Sequence, residues 1–245
     1  MTELILSDIT MMGTGYCVIG LEKARDGAYR SVRPLPPWGF AWREPFGFER
    51  GNVVKGRLRP ARATPPHLED HESSGLFDAG RRLTEADLVQ SLRRAEMAEH
   101  LEELFDCRMH SSGQAARALW VDPSEAHRSV CGCDYTNLRF RLFPEPEGFN
   151  LRAELALRSN ERIPSIPIVD REWRRFVDRV VDRVRRSDPL PFVERFLNRS
   201  VTARMLGEWE VFARIGLPRP RQDQHCWLML DSLFPQPDES WLDLF

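Results

Sequence analysis

The chain has 245 residues, 42% hydrophobic and 29% charged, with a formal net charge of -2. That length holds one large domain or two small ones around a buried core, and that balance excludes both wholesale disorder and a polycation. No apolar run reaches the length of a membrane span, and Met1-Thr2-Glu3-Leu4 lacks the basic start of a signal peptide, so a cytoplasmic protein without a membrane partner is expected.

The first sixty residues read as short strands. Leu4–Ile9 is an apolar run, Gly13-Thr14-Gly15 turns it into Tyr16–Leu21, and Asp26-Gly27 is a hairpin dipeptide leading to a strand over Tyr29–Leu35. Prolines 34, 36 and 37 end that strand, and Phe48–Leu58 supplies another with glycine bend points at 51 and 56. Short strands with glycines at their corners suggest a small barrel. His71–Gly80 reads as a polar loop. Thr84-Glu85-Ala86-Asp87 is a capping box opening a helix whose apolar period runs to Asp106.

Beyond it, Leu138–Leu142 and Phe149–Leu155 alternate strictly around the turn Pro144–Gly148, as a hairpin with one wet face does. Asp170 caps an amphipathic helix that buries Trp173, Phe176, Val177, Val180, Val181 and Val184, and Asp188-Pro189 stops it. A further helical pattern spans Pro191–Asn198, Trp209–Ile215 fits helix or strand, His225–Leu230 is a closing strand, and the Pro-rich acidic tail is expected to be loose.

Leu4–Met11 followed by Cys17–Leu21 resembles the first hairpin of the dual-OB family of bacterial nucleic-acid-processing and defence-associated proteins. Val32-Arg33-Pro34, Gly51-Asn52-Val53-Val54 and Pro65–Asp70 resemble the rest of that family's first barrel, and Ile215–Pro220 before Cys226-Trp227-Leu228 its closing segment. The resemblance implies an α+β fold of two small OB-like β-barrels with intervening and packed helices. On that reading residues 1–80 form the first barrel, 81–112 a helical connector, and 113–245 a second barrel with inserted helices. It also implies a nucleic-acid-related role, in antiviral defence or in DNA or RNA processing, within a protein complex.

Only Lys23 and Lys55 are lysines, so nearly all positive charge is arginine, whose planar fork pairs phosphates and stacks on bases; a compositional bias is the plain alternative. Arg171, Arg175, Arg179, Arg183 and Arg186 follow helical steps opposite the valine stripe and form a candidate phosphate track. Glu172, Asp178 and Asp182 interleave, as they would on an ordinary solvated face. Arg30, Arg33 and Trp38, with Tyr29 and Trp42, mix aromatics and arginines as single-strand binders do, although tryptophans also fill cores.

His67, Glu69, Asp70 and His71 have the donor types of a metal site, but consecutive loop residues rarely converge on one ion. The loop is therefore expected to be structural, its acids pairing with arginines such as Arg59 or Arg62 and anchoring the two halves of the chain. Cys131-Gly132-Cys133, with Cys107 and His110 upstream, lacks knuckle spacing, and the five scattered cysteines fit reduced thiols. His225 and Cys226 are strand neighbours on opposite faces and make no dyad. Phosphate-loop, dinucleotide and hydrolase motifs are lacking. No metal, cofactor or catalytic residue is expected. The reading is a non-catalytic module that binds single-stranded or structured nucleic acid beside other protein subunits. The alternatives are a metal-dependent nuclease centred on His67, Glu69 and Asp70, and a protein–protein adaptor.

Overall fold

In the first strand, β1 (Thr2–Met12), a register shift between Leu6 and Asp8 inserts Ser7 as an extra residue. Without it Asp8 would follow Leu4 and Leu6 into the core; with it Ile9 takes that place and Asp8 turns to the opposite face. This computed structural model describes residues 1–13, 15–43, 47–111, 118–184, 187–220 and 224–244. The strands that follow are β2 (Gly15–Lys23), β3 (Tyr29–Leu35), the short β4 (Trp42–Arg43), β5 (Asn52–Pro60) and β6 (Asp70–Arg82). They close a five-stranded ring in the order β1-β2-β3-β6-β5-β1, with β4 appended to β2. β3 and β6 run parallel and every other ring neighbour is antiparallel, which is the Greek-key order of an OB-like barrel. Leu4, Leu6, Ile9, Tyr16, Val18, Val32, Trp42 and Val54 fill it.

Residues 71–80, expected as a loop, lie within β6, which pairs with both β5 and β3. Apart from Leu76 and the exposed Phe77 its side chains over 71–80 are small or polar, so no apolar alternation announced a strand; backbone pairing to two neighbours forms it. The capped helix α1 (Glu85–Arg93) ends well before Asp106. Met97–Ala98, β7, instead pairs in parallel with Gly132–Cys133, and a 3-10 turn takes Leu101–Leu104. Tertiary pairing overrides the helical period there.

The short strands β8 (His110–Ser111) and β9 (Leu119–Val121) precede β10 (Val130–Glu145), β11 (Gly148–Leu157) and β12 (Arg162–Pro167). Three helices follow, α2 (Arg171–Arg183), α3 (Leu190–Phe196) and α4 (Thr202–Glu208), the last two joined by a π turn at Leu197–Val201. β13 (Phe212–Gly216), the short β14 (Cys226–Trp227) and β15 (Met229–Phe234) complete the strands. The second sheet has the order β12-β11-β10-β13-β15, and a parallel bridge between Ile168 and Leu230 links its two ends. A third sheet holds β14-β9-β8. The architecture is thus α+β with a closed barrel. Among the described residues no helix is long and apolar enough to cross a membrane.

The large core of the second half includes Tyr135, Phe140, Trp173, Phe176 and Ile215. The tail, expected to be loose, docks there: Trp241 in a 3-10 turn (Glu239–Leu244) packs edge-on to Trp173 and Phe176, with ring centroids 5.9 and 6.3 Å apart.

The two sheets meet across the outer face of β2 and β3. Cys17 and Ile19 pack on Val130, while Leu21 joins Leu88 and Leu92 of α1 with Phe212 and Phe234 of the second sheet. Strands 2 and 3 are where OB barrels commonly receive oligonucleotides. In this barrel that face is covered by the rest of the chain.

Candidate functional site

Arg33 leaves β3 on the covered face and is 7% exposed. Its Nε donates to Asp70 Oδ1 at 2.5 Å, while Arg219, from the loop after β13, donates to Asp70 Oδ2 at 2.6 Å. One carboxylate thus joins both halves of the chain. Glu69 accepts from the Ser129 hydroxyl and lies 3.7 Å from Arg33. Burial alone would raise the Glu69 carboxyl, but His67, Arg33 and Ser129 hold it below its ordinary value. His67 is buried 3.8 Å from Glu69, and desolvation lowers its imidazole. Asp70 takes its guanidiniums from Arg33 and Arg219, whereas Arg59 and Arg62 are exposed.

Deeper in the seam, Asp8, turned outward by the bulge, lies 3.5 Å from Arg214 of β13, and both are fully buried. Ser7 and Ser232 donate to Asp8 at 2.7 and 2.5 Å, and Arg214 donates to Ser31 at 2.8 Å.

This geometry corrects two members of the expected arginine surface. Arg33 is spent inside the protein on Asp70 and presents nothing to a ligand. Arg171, 3% exposed, donates to Glu172 and to the Phe48 carbonyl and lies over Tyr16, so it is not part of an outer row. It is the first residue of α2, where the helix start packs on the barrel. Arg175, Arg179 and Arg183 do lie on the exposed side of α2, and Arg186 falls outside the described residues. Arg30 is exposed but paired with Glu22. Trp38, 54% exposed, sits edge-on to the buried Trp42, and its neighbour Phe40 lies 4.1 Å beneath the Arg219 guanidinium.

A basic concavity lies elsewhere. Residues 138–145 of β10 pair with β11 on one side only, and α3 with its π turn covers the other. Asn198 accepts from the Phe140 N–H and donates to its carbonyl, at 2.8 and 3.0 Å, and Glu194 accepts from the Leu142 N–H at 3.0 Å. Between this helix and β10–β12 opens a cleft of about 1280 Å³. Arg139, Arg162, Arg195 and Arg199 line it, all at least partly exposed and without an ion-pair partner among the described residues. Of the acids on its wall, Glu154 and Glu194 are engaged by Arg141, leaving Asp188 against four guanidiniums. Thr202 also lines the cleft, and its buried hydroxyl has no hydrogen-bond partner. Such a trough suits a ligand with several phosphates. The sequence signalled only one part of it, the wet face of the β10–β11 hairpin.

The cysteine cluster has a packing explanation. Cys131 and Cys133 point together into the core, where burial pushes the Cys131 thiol up to about 11 and Cys133 higher still. Gly132 faces the other way, and a Cβ there would come within 2.5 Å of the Phe212 ring. His110 and His225 stack on either face of Trp120, at 4.3 and 3.7 Å. Among the described residues no three His, Cys, Asp or Glu side chains converge as metal ligands.

No family model matches this chain, and comparison with curated proteins finds no match. Among solved structures, it is similar to a chain in a structure of a Replication Protein A heterotrimer bound to ssDNA, with 7% identity and a TM-score of 0.31. The alignment covers 99% of this chain and 50% of that one, so this chain spans about half its length. At that score the assignment of an OB-like barrel rests on strand order and direction.

Proposed function

We propose that the chain is a dual-OB, nucleic-acid-binding module whose working surface is the arginine cleft of its second half. β10, β11, β12, β13 and β15 repeat the strand order of the first barrel, and the Ile168–Leu230 bridge supplies the parallel closure. The helices α2–α4 fill the connection between the third and fourth of these strands. On this reading β11 and β12 are the second and third strands of a second OB-like barrel, and the cleft lies on their outer side. The first barrel then serves as the partner that the second rests on, its own equivalent face being covered. The observation that carries the reading is the convergence of four arginines, none in an ion pair among the described residues, on one open trough.

Phosphodiester backbones are the ligand such a surface selects, and single strands fit because no duplex-reading helix projects from the cleft. Arg175, Arg179 and Arg183 on α2 offer a second basic surface. The exposed Trp38 and Phe40 favour an additional protein contact, consistent with a subunit of a larger DNA- or RNA-processing or defence assembly. A nuclease centred on Asp70 is disfavoured because both its oxygens are taken by guanidiniums.

The test is binding of a dT oligonucleotide across a salt series. Affinity should fall steeply with salt, and Arg195→Glu with Arg199→Glu should weaken it and flatten the slope by about 0.7 for each phosphate that is no longer neutralised. Binding that survives this pair but is abolished by reversing Arg175, Arg179 and Arg183 moves the site to α2. No binding at low salt refutes the reading.

A further inference from the structure

A second cavity, of about 210 Å³, lies where the first barrel, α1, α2 and the segment after β15 meet. Arg50 lines it, is 6% exposed, and has no acceptor at Nε or Nη1. Its Nη2 pairs with Asp170, 3.1 Å away, which balances its charge, and its guanidinium lies over the Phe234 ring. The Gln236 side chain, on the same wall, uses its amide nitrogen on the Leu233 carbonyl and Asp170 and leaves Oε1 buried without a donor. Glu85 accepts from the Gln236 N–H through Oε2, Glu172 accepts from Arg171 through Oε1, and both carboxylates face the same space. Leu88 and Phe234 supply the apolar wall, and Arg82 paired with Glu49 stands at the exposed side.

Buried donors and acceptors left unpaired are destabilising, so a cavity that collects them calls for an occupant. A phosphate does not suit it, because Glu85 and Glu172 would repel an anion and Asp170 already neutralises Arg50. The complement is a neutral planar group with two adjacent acceptors for a guanidinium fork and neighbouring N–H donors for carboxylate and amide oxygens. Guanine has this pattern: O6 and N7 accept from arginine, and N1–H with the 2-amino group donates. Adenine turns a donor, its 6-amino group, toward the arginine and loses that match. We infer that this cavity is a guanine-base pocket, with Arg50 donating to the O6/N7 edge and Glu85 with Gln236 Oε1 accepting from the amino edge. The inference builds on the nucleic-acid reading but uses residues apart from the cleft. The base comes either from a free nucleoside or from one splayed out of a strand.

The experiment titrates guanosine, inosine and adenosine into the full chain by calorimetry, and separately compares a dT oligonucleotide with the same strand carrying one guanine. Guanosine should bind saturably, inosine more weakly for want of the 2-amino group, and adenosine at least tenfold more weakly. Glu85→Gln preserves the acceptor for the Gln236 N–H but removes the charge, and should weaken guanosine about tenfold with an unchanged melting temperature. Arg50→Lys keeps a cation beside Asp170 and should abolish the preference for guanine over adenine. If guanosine alone fails but the single guanine tightens the strand and Glu85→Gln removes the gain, the base is supplied by the strand. Equal binding of guanosine and adenosine, or no guanine dependence in either format, overturns the inference and leaves a solvent-filled cavity with room for about seven waters. Because the dT strand contains no guanine, its binding reports on the cleft alone, and the two readings can fail separately.

Discussion

Asp70 offers one carboxylate to two guanidiniums from different halves of the chain, Arg33 of β3 and Arg219 after β13. Removing it leaves the buried Arg33 with only Glu69, 3.7 Å away and beyond hydrogen-bonding distance, and stripping a buried charge of its hydrogen-bonded partner is the costly way to break an ion pair. Asp70→Ala should therefore destabilise the fold by about 3–5 kcal/mol, read from urea unfolding, with Asp70→Asn intermediate. Loss of oligonucleotide binding at wild-type stability would instead make this loop part of the working site. His67 gives the seam a pH dependence. Burial holds its imidazole below 6.5 in the fold, so on acidification the unfolded chain takes up the proton first. Stability should then fall as pH drops below 6.5, with a slope approaching about 1.4 kcal/mol per pH unit from this group. His67→Gln should flatten that part of the curve, and an unchanged slope between pH 6.5 and 5 would assign the loss to other groups.

At the scale of elements, what the sequence made legible was local. The cap at Asp170 and the valine stripe of α2, the alternation of β10 and β11, and the glycine-punctuated strands of the barrel each follow from a period and a stop signal within one segment. What stayed hidden depends on partners distant in the chain. β6 reads as a loop because its ladder, not its side chains, holds it. Met97–Ala98 leaves a helical period because β10 offers a parallel edge. Arg33 looks like a surface residue because a strand covered on both faces loses the polar-out alternation that marks which side is wet. The cleft was half visible: Arg139 lies on the wet side of an evident hairpin, but Arg195 and Arg199 join it only because Asn198 and Glu194 clamp α3 to the unpaired edge of β10. Gly132 is the converse case. Between two cysteines it suggests metal chemistry, and its reason is the space it leaves for the Phe212 ring.

On the scale of the whole molecule, the seam decides whether the chain behaves as one unit or two. Small side chains and a hydrogen-bonded loop alone would make a loose joint, of the kind that lets domains move and unfold separately. Here the joint contains Asp8 and Arg214, one from each sheet and neither reached by water, together with the apolar contacts of Ile19, Leu21, Val130, Phe212 and Phe234. If the halves separated, those side chains would be exposed. In a partly opened state, either Asp8 or Arg214 would be desolvated without the other, an arrangement costlier than full separation. The joint is therefore expected to stay closed until a whole half unfolds, and the remaining half then presents a bare apolar face that cannot persist. Calorimetry at neutral pH should record a single transition whose van't Hoff enthalpy matches the measured enthalpy. A dT oligonucleotide, proposed to bind at the cleft, should move that one transition intact to higher temperature. Two resolved transitions, with only the upper or the lower one shifted by the ligand, would mean that the two halves are independent and that the buried Asp8–Arg214 pair does not couple them.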